Sequence, residues 1–360
     1  MKIKFNNANP VFFQSLKKEV EFYFEQKQIP KTGNWKLYGK AVVVISFSFL
    51  LYLFLLLGHY SGLVGMLLSL LLGLALISTA FNVMHDACHN SFSSKKWVNN
   101  LMGLTMNALG GNALLWKIKH NIIHHTYTNI DGVDDDLASG AWLRLCAAQK
   151  WRPLHRFQYL YMFFLYAIST FAWMMVFDFV KYFSKRIHTT SITRIEPKEH
   201  VIFWASKALY VFFYGLLPVY FVGWQAWLIG FAIVHFTMGL VMSIIFQLAH
   251  VVEKTNFYSA QEQSSFPTGS WAEHEVLTTT DFAQNNKLLS WAIGGLNFQI
   301  EHHLFPTISH VHYPAISKIV EEQCRKFSLP YHTYPTMRQA IASHIRLMKE
   351  LGGKSFQLAG

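Results

Sequence analysis

Charge is scarce in this chain. Only 14% of its 360 residues are Asp, Glu, Lys or Arg, where a soluble domain averages about 25%. That leaves too little solvent-facing material to coat a water-soluble protein of this size. Cysteine is rare and unpaired. Cys88, Cys146 and Cys324 form no CxxC or other paired spacing, which removes any need for a disulfide framework, argues against a thiolate zinc site and suits a reduced cytosolic face. No internal repeat, low-complexity tract or flexible linker interrupts the sequence, so residues 1–360 are expected to form one folding unit. The first 40 residues contain no long apolar run, and no cleavable signal peptide is expected. Lys and Arg outnumber Asp and Glu, 31 to 20. They are scattered around apolar runs rather than clustered on one module, which argues against nucleic-acid binding.

Apolar material is abundant instead: 52% of the residues are hydrophobic and 31 are Phe. Three runs, Ala41–Leu57, Leu63–Met84 and Trp227–Ala249, are long enough to cross a hydrocarbon core of about 30 Å as helices. Val201–Val222 and Tyr159–Val180 are weaker candidates. Lys17, Lys18, Lys27, Lys31, Lys36 and Lys40 precede the first run and place the N-terminus in the cytoplasm, whereas the turn Gly58–Gly62 carries no Lys or Arg. If Tyr159–Val180 crossed, the basic stretch KYFSKRIHTTSITR from Lys181 to Arg194 would lie outside. That segment is therefore expected to lie in the membrane surface or to re-enter. Four spans result, with both termini and most basic residues on the cytoplasmic side.

Eight of the 18 histidines form a pattern. His85 and His89 (HDACH) follow the second span at a spacing of four, which shares a helix face. His120, His124 and His125 (HNIIHH) repeat that spacing and add a neighbour. His250 ends the fourth span, and His302 and His303 stand in QIEHH. A lone pair at i and i+4 is more often a surface feature than a ligand pair. Three clusters at one membrane depth reverse that balance, because the depth was not used to draw the topology. Imidazole suits iron, zinc, copper and nickel, and eight rings could supply four ligands to each of two ions. Asp86 and Glu301 stand where second-row acceptors could orient the rings.

HDACH, HNIIHH and QIEHH resemble the three histidine boxes of membrane fatty acyl desaturases. QIEHHLFP in particular is similar to the front-end group, where Gln replaces the usual first His of the third box. The resemblance runs from about Phe81 to Pro306. It implies an all-α integral membrane protein with four transmembrane helices and a cytoplasmic helical cap holding a non-haem di-iron site. It also implies an oxygen-dependent enzyme that inserts a double bond into a CoA- or lipid-linked acyl chain with two electrons. On that pattern His85, His89, His120, His124, His125, His302 and His303 are iron ligands, His250 is the additional one, and Gln299 is a second-row residue. Many front-end members carry a fused cytochrome b5 domain with an HPGG motif. No HPGG occurs here, so a separate donor such as cytochrome b5, or ferredoxin with its reductase, is expected to dock on the basic cytoplasmic face. The expected layout is a cytoplasmic segment (1–40), spans one and two (41–84), boxes one and two (85–200), spans three and four (201–249) and a cytoplasmic region with box three (250–360).

The remaining histidines carry blander expectations. His235 reads as a packing residue, and His59, His155, His188, His200, His332 and His344 as surface positions. His274, His310 and His312 are open between a role behind the ligands and a docking role. Asp131, Asp134, Asp135 and Asp136 read as a solvated turn capping a helix from Leu137, and Trp97 and Trp116 as interfacial rings. A hydroxylase or acetylenase would use the same boxes. A histidine-rich transporter fits poorly, because transporters place their sites near the bilayer midplane. Regioselectivity, chain length and acyl carrier are not encoded legibly.

Overall fold

The computed structural model describes residue 5 and residues 10–138, 141–261 and 270–354. It is a helical protein whose strands, among the described residues, are three two-residue pairs. Helix α1 (Val11–Lys27) precedes α2 (Trp35–Leu57), which starts where the Asn34 side chain accepts the Lys36 amide. The charge-free turn at Gly58 leads into α3 (Gly62–Cys88). Short helices α4 (Lys96–Gly103), α5 (Thr105–Ala108) and α6 (Ala113–Lys117) follow. Next come the long helices α7 (Pro153–Ser184), α8 (Pro197–Val222) and α9 (Trp224–His250). The chain ends in a second set of shorter helices: α10 (Trp271–Thr278), α11 (Lys287–Ala292), α12 (Gln299–Leu304), α13 (Tyr313–Lys326) and α14 (Met337–Leu351).

Five helices (α2, α3, α7, α8 and α9) are long and apolar enough to cross a membrane, one more than the four expected. The additional one is α7, the segment set aside on charge grounds. Both of its ends are tied to the cap. Near its start, Gln158 Nε2 donates to Arg144 O at 3.0 Å and to Met348 O at 2.8 Å. Near its end, Lys181 Nζ meets Asp135 Oδ2 at 2.6 Å. Its middle crosses α9 so closely that a Cβ on Gly239 would stand 2.4 Å from Ala167 O, the small-residue contact that lets helix backbones touch.

One apolar cluster assembles the cap and a second fixes it to the bundle. In α1, Phe12, Leu16, Val20 and Phe24 recur every four residues as one buried stripe against α10, α12 and α13, the usual device by which an amphipathic helix docks. A larger cluster joins α3, α5, α6 and α9 through Leu76, Met84, Met106, Trp116, Met238 and Ile245. A buried ion pair pins α8 to its surroundings. Lys207 Nζ lies 2.9 Å from Asp178 Oδ2, 2.6 Å from Gly110 O and 2.8 Å from Met174 O. The ammonium thus has a partner for each proton, which a buried charge requires.

Candidate metal centre

The local geometry of the boxes departs from a plain α-helix. Apolar α3 passes through a π-turn, Ala80–Met84, immediately before His85. A second π-turn, Ile118–His124, runs through HNIIHH. In an α-helix His120 and His124 share a face and His125 turns away. In a π-turn, where bonding runs from i to i+5, residues five apart come into register, and His120 Nε2 and His125 Nε2 approach to 3.3 Å. The third box reaches the same place by a sharp turn. Gly294 and Gly295 have φ of +63° and +66°, and a Cβ on Gly294 would stand 2.4 Å from Phe81 O. Glycine is needed there for both conformation and space.

All eight histidines come together and all are buried. Ligand atoms of His85, His89, His120 and His302 lie within 4.8 Å of one another, as do those of His124, His250 and His303. His125 sits between the groups, its ring centroid 4.6 Å from His302 and 4.4 Å from His303. Nε2 of His85, His89, His124, His250, His302 and His303, and Nδ1 of His125, are buried without a hydrogen-bond partner. Buried polar atoms are ordinarily satisfied. Seven orphaned ring nitrogens in one cluster are what a metal site looks like without its metal, and an imidazole-only donor set with no thiolate fits iron.

Several opposite ring nitrogens are held. His124 Nδ1 lies 3.1 Å from Asp134 Oδ2, His303 Nδ1 2.7 Å from Glu275 Oε2, His302 Nδ1 3.0 Å from the Tyr313 hydroxyl, and His250 Nδ1 3.3 Å from Thr278 O. Such contacts fix tautomer and ring orientation. Burial, reinforced by neighbouring imidazoles, holds His89, His120, His125, His302 and His303 well below the ordinary histidine range. They are therefore in the neutral form that a metal requires. His124 is the exception: burial opposes its protonation, but the Asp134 carboxylate outweighs it and raises its pKa.

A cavity of about 850 Å³ runs through the bundle between α2, α3, α8 and α9, from Leu76, Leu109 and Met238 past Tyr52 and Trp227 to the turn at Gly58–Gly62. Trp116 stands nearer the centre, stacked on His120 with centroids 4.4 Å apart.

Residues 61–335 match the sequence model of the fatty acid desaturase family. The chain is 33% identical over 355 residues to an sn-1 linoleoyl-lipid 6-desaturase of Synechocystis sp., covering 98% of this chain and 99% of that one. A protein of the same name from Arthrospira platensis is also 33% identical, over 94% of this chain and 92% of its own. An acyl-lipid (8-3)-desaturase of Physcomitrium patens is 31% identical over 98% of this chain and 74% of the relative. The chain belongs to the fatty acid desaturase family.

The desaturase places other expected residues differently. Among the described residues, Asp86 hydrogen-bonds to none of the box rings. Its Oδ2 accepts the Ser309 hydroxyl at 2.7 Å, and its Oδ1 lies 3.0 Å from His310 Nδ1. It ties box one to the segment after box three. Gln299 is buried and donates to Leu296 O at 2.8 Å. Glu301 accepts the Tyr331 hydroxyl at 3.0 Å and sits beside Asp281. The acceptors behind the rings are instead Asp134 and Glu275. Asp134 also accepts the Asn129 and Asp136 amides at 3.0 Å each, so it organises a tight loop, and among the described residues no helix starts at Leu137. His155 and His344 are buried rather than on the surface. His344 bridges Tyr166 on α7 and Val251 O after α9. His274 accepts a place behind box two, its Nε2 2.8 Å from Thr128 O. Glu275 stands in WAEHEVLTTT, where a second acid one residue past His274 was the available signal.

Proposed function

We propose that this desaturase holds two irons, one by His85, His89, His120 and His302 and the other by His124, His250 and His303, with His125 within reach of both. The observation that carries this is the convergence of seven buried, unpartnered ring nitrogens. Irons bound there would supply the oxidant for removing two hydrogens from adjacent methylenes, and dioxygen with those two hydrogens, two electrons and two protons would give two waters. The chain's own part is positional. Asp134, Glu275 and Tyr313 keep their histidines turned inward, and burial keeps the rings deprotonated. Trp116 and the packed methionines exclude water above an apolar cavity suited to an acyl tail.

The acyl carrier proposed is a membrane lipid, because the relatives named above are acyl-lipid enzymes over nearly the full length of this chain. Electrons come from a separate donor such as cytochrome b5 or ferredoxin, docked on the basic cytoplasmic face. Parity supports four crossings. Box two and His250 meet in one cluster, so an even number of spans must lie between them. With α7 tied to the cap at both ends, α8 and α9 supply that pair, and the termini and the centre share the cytoplasmic side. The test is expression in a host lacking this activity, with lipid acyl profiling by mass spectrometry. A product two mass units lighter, absent with His303→Ala, supports the proposal. A product heavier by one oxygen would make the enzyme a hydroxylase.

A further inference from the structure

The cavity wall formed by the second half of α8 is thin and unusually built. A π-turn, Phe212–Leu216, is followed by Pro218. In an α-register the amide of residue 218 would serve Tyr214 O, and in a π-register Phe213 O. Proline has no N–H, so it can serve neither. Whichever carbonyl loses its amide this way would be bare in a membrane interior, where an unsatisfied backbone group is costly. Each of the two is met by a side chain from another helix. Tyr52 Oη of α2 donates to Phe213 O at 2.5 Å, and Trp227 Nε1 of α9 donates to Tyr214 O at 2.7 Å. Tyr52, Tyr214, Pro218 and Trp227 all line the cavity.

The wall has little else to hold it. No residue from Phe212 to Val222 is buried, and Phe213 and Leu216, which do not line the cavity, are 44% and 62% exposed. It is one helix thick between cavity and bilayer. Among the described residues, the Tyr52 bond is the one hydrogen bond joining α2 to α8, accompanied by the Tyr52–Tyr214 ring contact at 5.7 Å. A single interhelical hydrogen bond in a membrane is weak enough to break and reform thermally.

We propose that the seam between α2 and the second half of α8 is a lateral portal for the acyl chain of a bilayer lipid, latched by Tyr52 on Phe213 O. The wall's outer face is apolar and bilayer-facing, and the cavity behind it is apolar, so what enters through it is hydrocarbon already in the membrane. This rests on the desaturase reading for the purpose of entry, but the portal can be tested without turnover.

The full chain, with Tyr52→Cys and Tyr214→Cys, is placed in vesicles containing a linoleoyl glycerolipid and a glycerolipid with a diazirine near its acyl terminus. The native cysteines are buried, so a short reducible bifunctional thiol reagent can join the two introduced ones. Before joining, photolysis is expected to leave adducts on cavity residues such as Ser69, Leu76 and Met238. Joining should remove those adducts and lower lipid desaturation at least tenfold, and reduction should restore both in the same sample. Adducts or turnover unchanged by joining would overturn the portal, as would absence of cavity adducts before joining. Labelling that responds to the linker in an enzyme that desaturates nothing would uphold the portal and refute the reaction.

Discussion

At the scale of single residues, the chemistry depends on neutral imidazoles aimed by their neighbours. Glu275 lies 2.7 Å from His303 Nδ1 and should matter without touching iron. Glu275→Gln keeps the shape but weakens the acceptor, so a loss of roughly 10- to 100-fold in iron affinity or activity is expected, read by iron retention under a graded chelator. The pH dependence has a definite sign. Protons compete with metal for a ring nitrogen only near and below its pKa, and five box histidines are held well below the ordinary value of about 6.5 by burial. The iron assigned to His85, His89, His120 and His302 should therefore be retained as pH falls from 8 to 6, whereas His124, raised by Asp134, makes the other iron the first to leave, checked by iron content after dialysis at each pH. Loss of both irons together with a midpoint near 6.5 would mean that the rings are solvated. The histidine cluster was legible in the sequence because type and spacing mark it. Their supporting acids were not, because Asp134 and Glu275 reach the rings only through a loop and a helix folded back over box two.

At the scale of elements, the boxes work because their helices are irregular. Spacing alone pairs His120 with His124, and it is the π-turn that brings His125 inward. No residue type in HNIIHH announces that turn, so the register could not be read beforehand. The glycine pair before box three is a clearer signal. Gly294→Ala must force a side chain into a backbone carbonyl at 2.4 Å and hold φ at +63°. Strain of about 1–3 kcal/mol is expected from the conformation alone, seen as a lower Tm. Because α12 follows directly, iron content should fall with it. Wild-type Tm and iron content in this variant would show that the turn is not what positions His302 and His303.

At the scale of the whole molecule, the membrane class and the long apolar helices were legible from hydropathy, and the convergence of the histidines from their place at the ends of apolar runs. The course of α7 was harder. Its hydropathy suits a span, and only its basic flank and its ties to Arg144, Met348 and Asp135 indicate that both ends lie at the cap. Ser184 and Ser191 are exposed in the stretch that follows, and cysteines placed there should react with a membrane-impermeant thiol reagent from the cytoplasmic side only. Reaction from the far side would require α7 to cross. The most direct measurement of the central claim is metal content in protein made with ample iron and assayed for product in the same preparation. Two irons per chain are expected, with desaturation lost as chelation removes them and regained when ferrous iron is returned. Full desaturation by protein holding one metal per chain, or none, would contradict it.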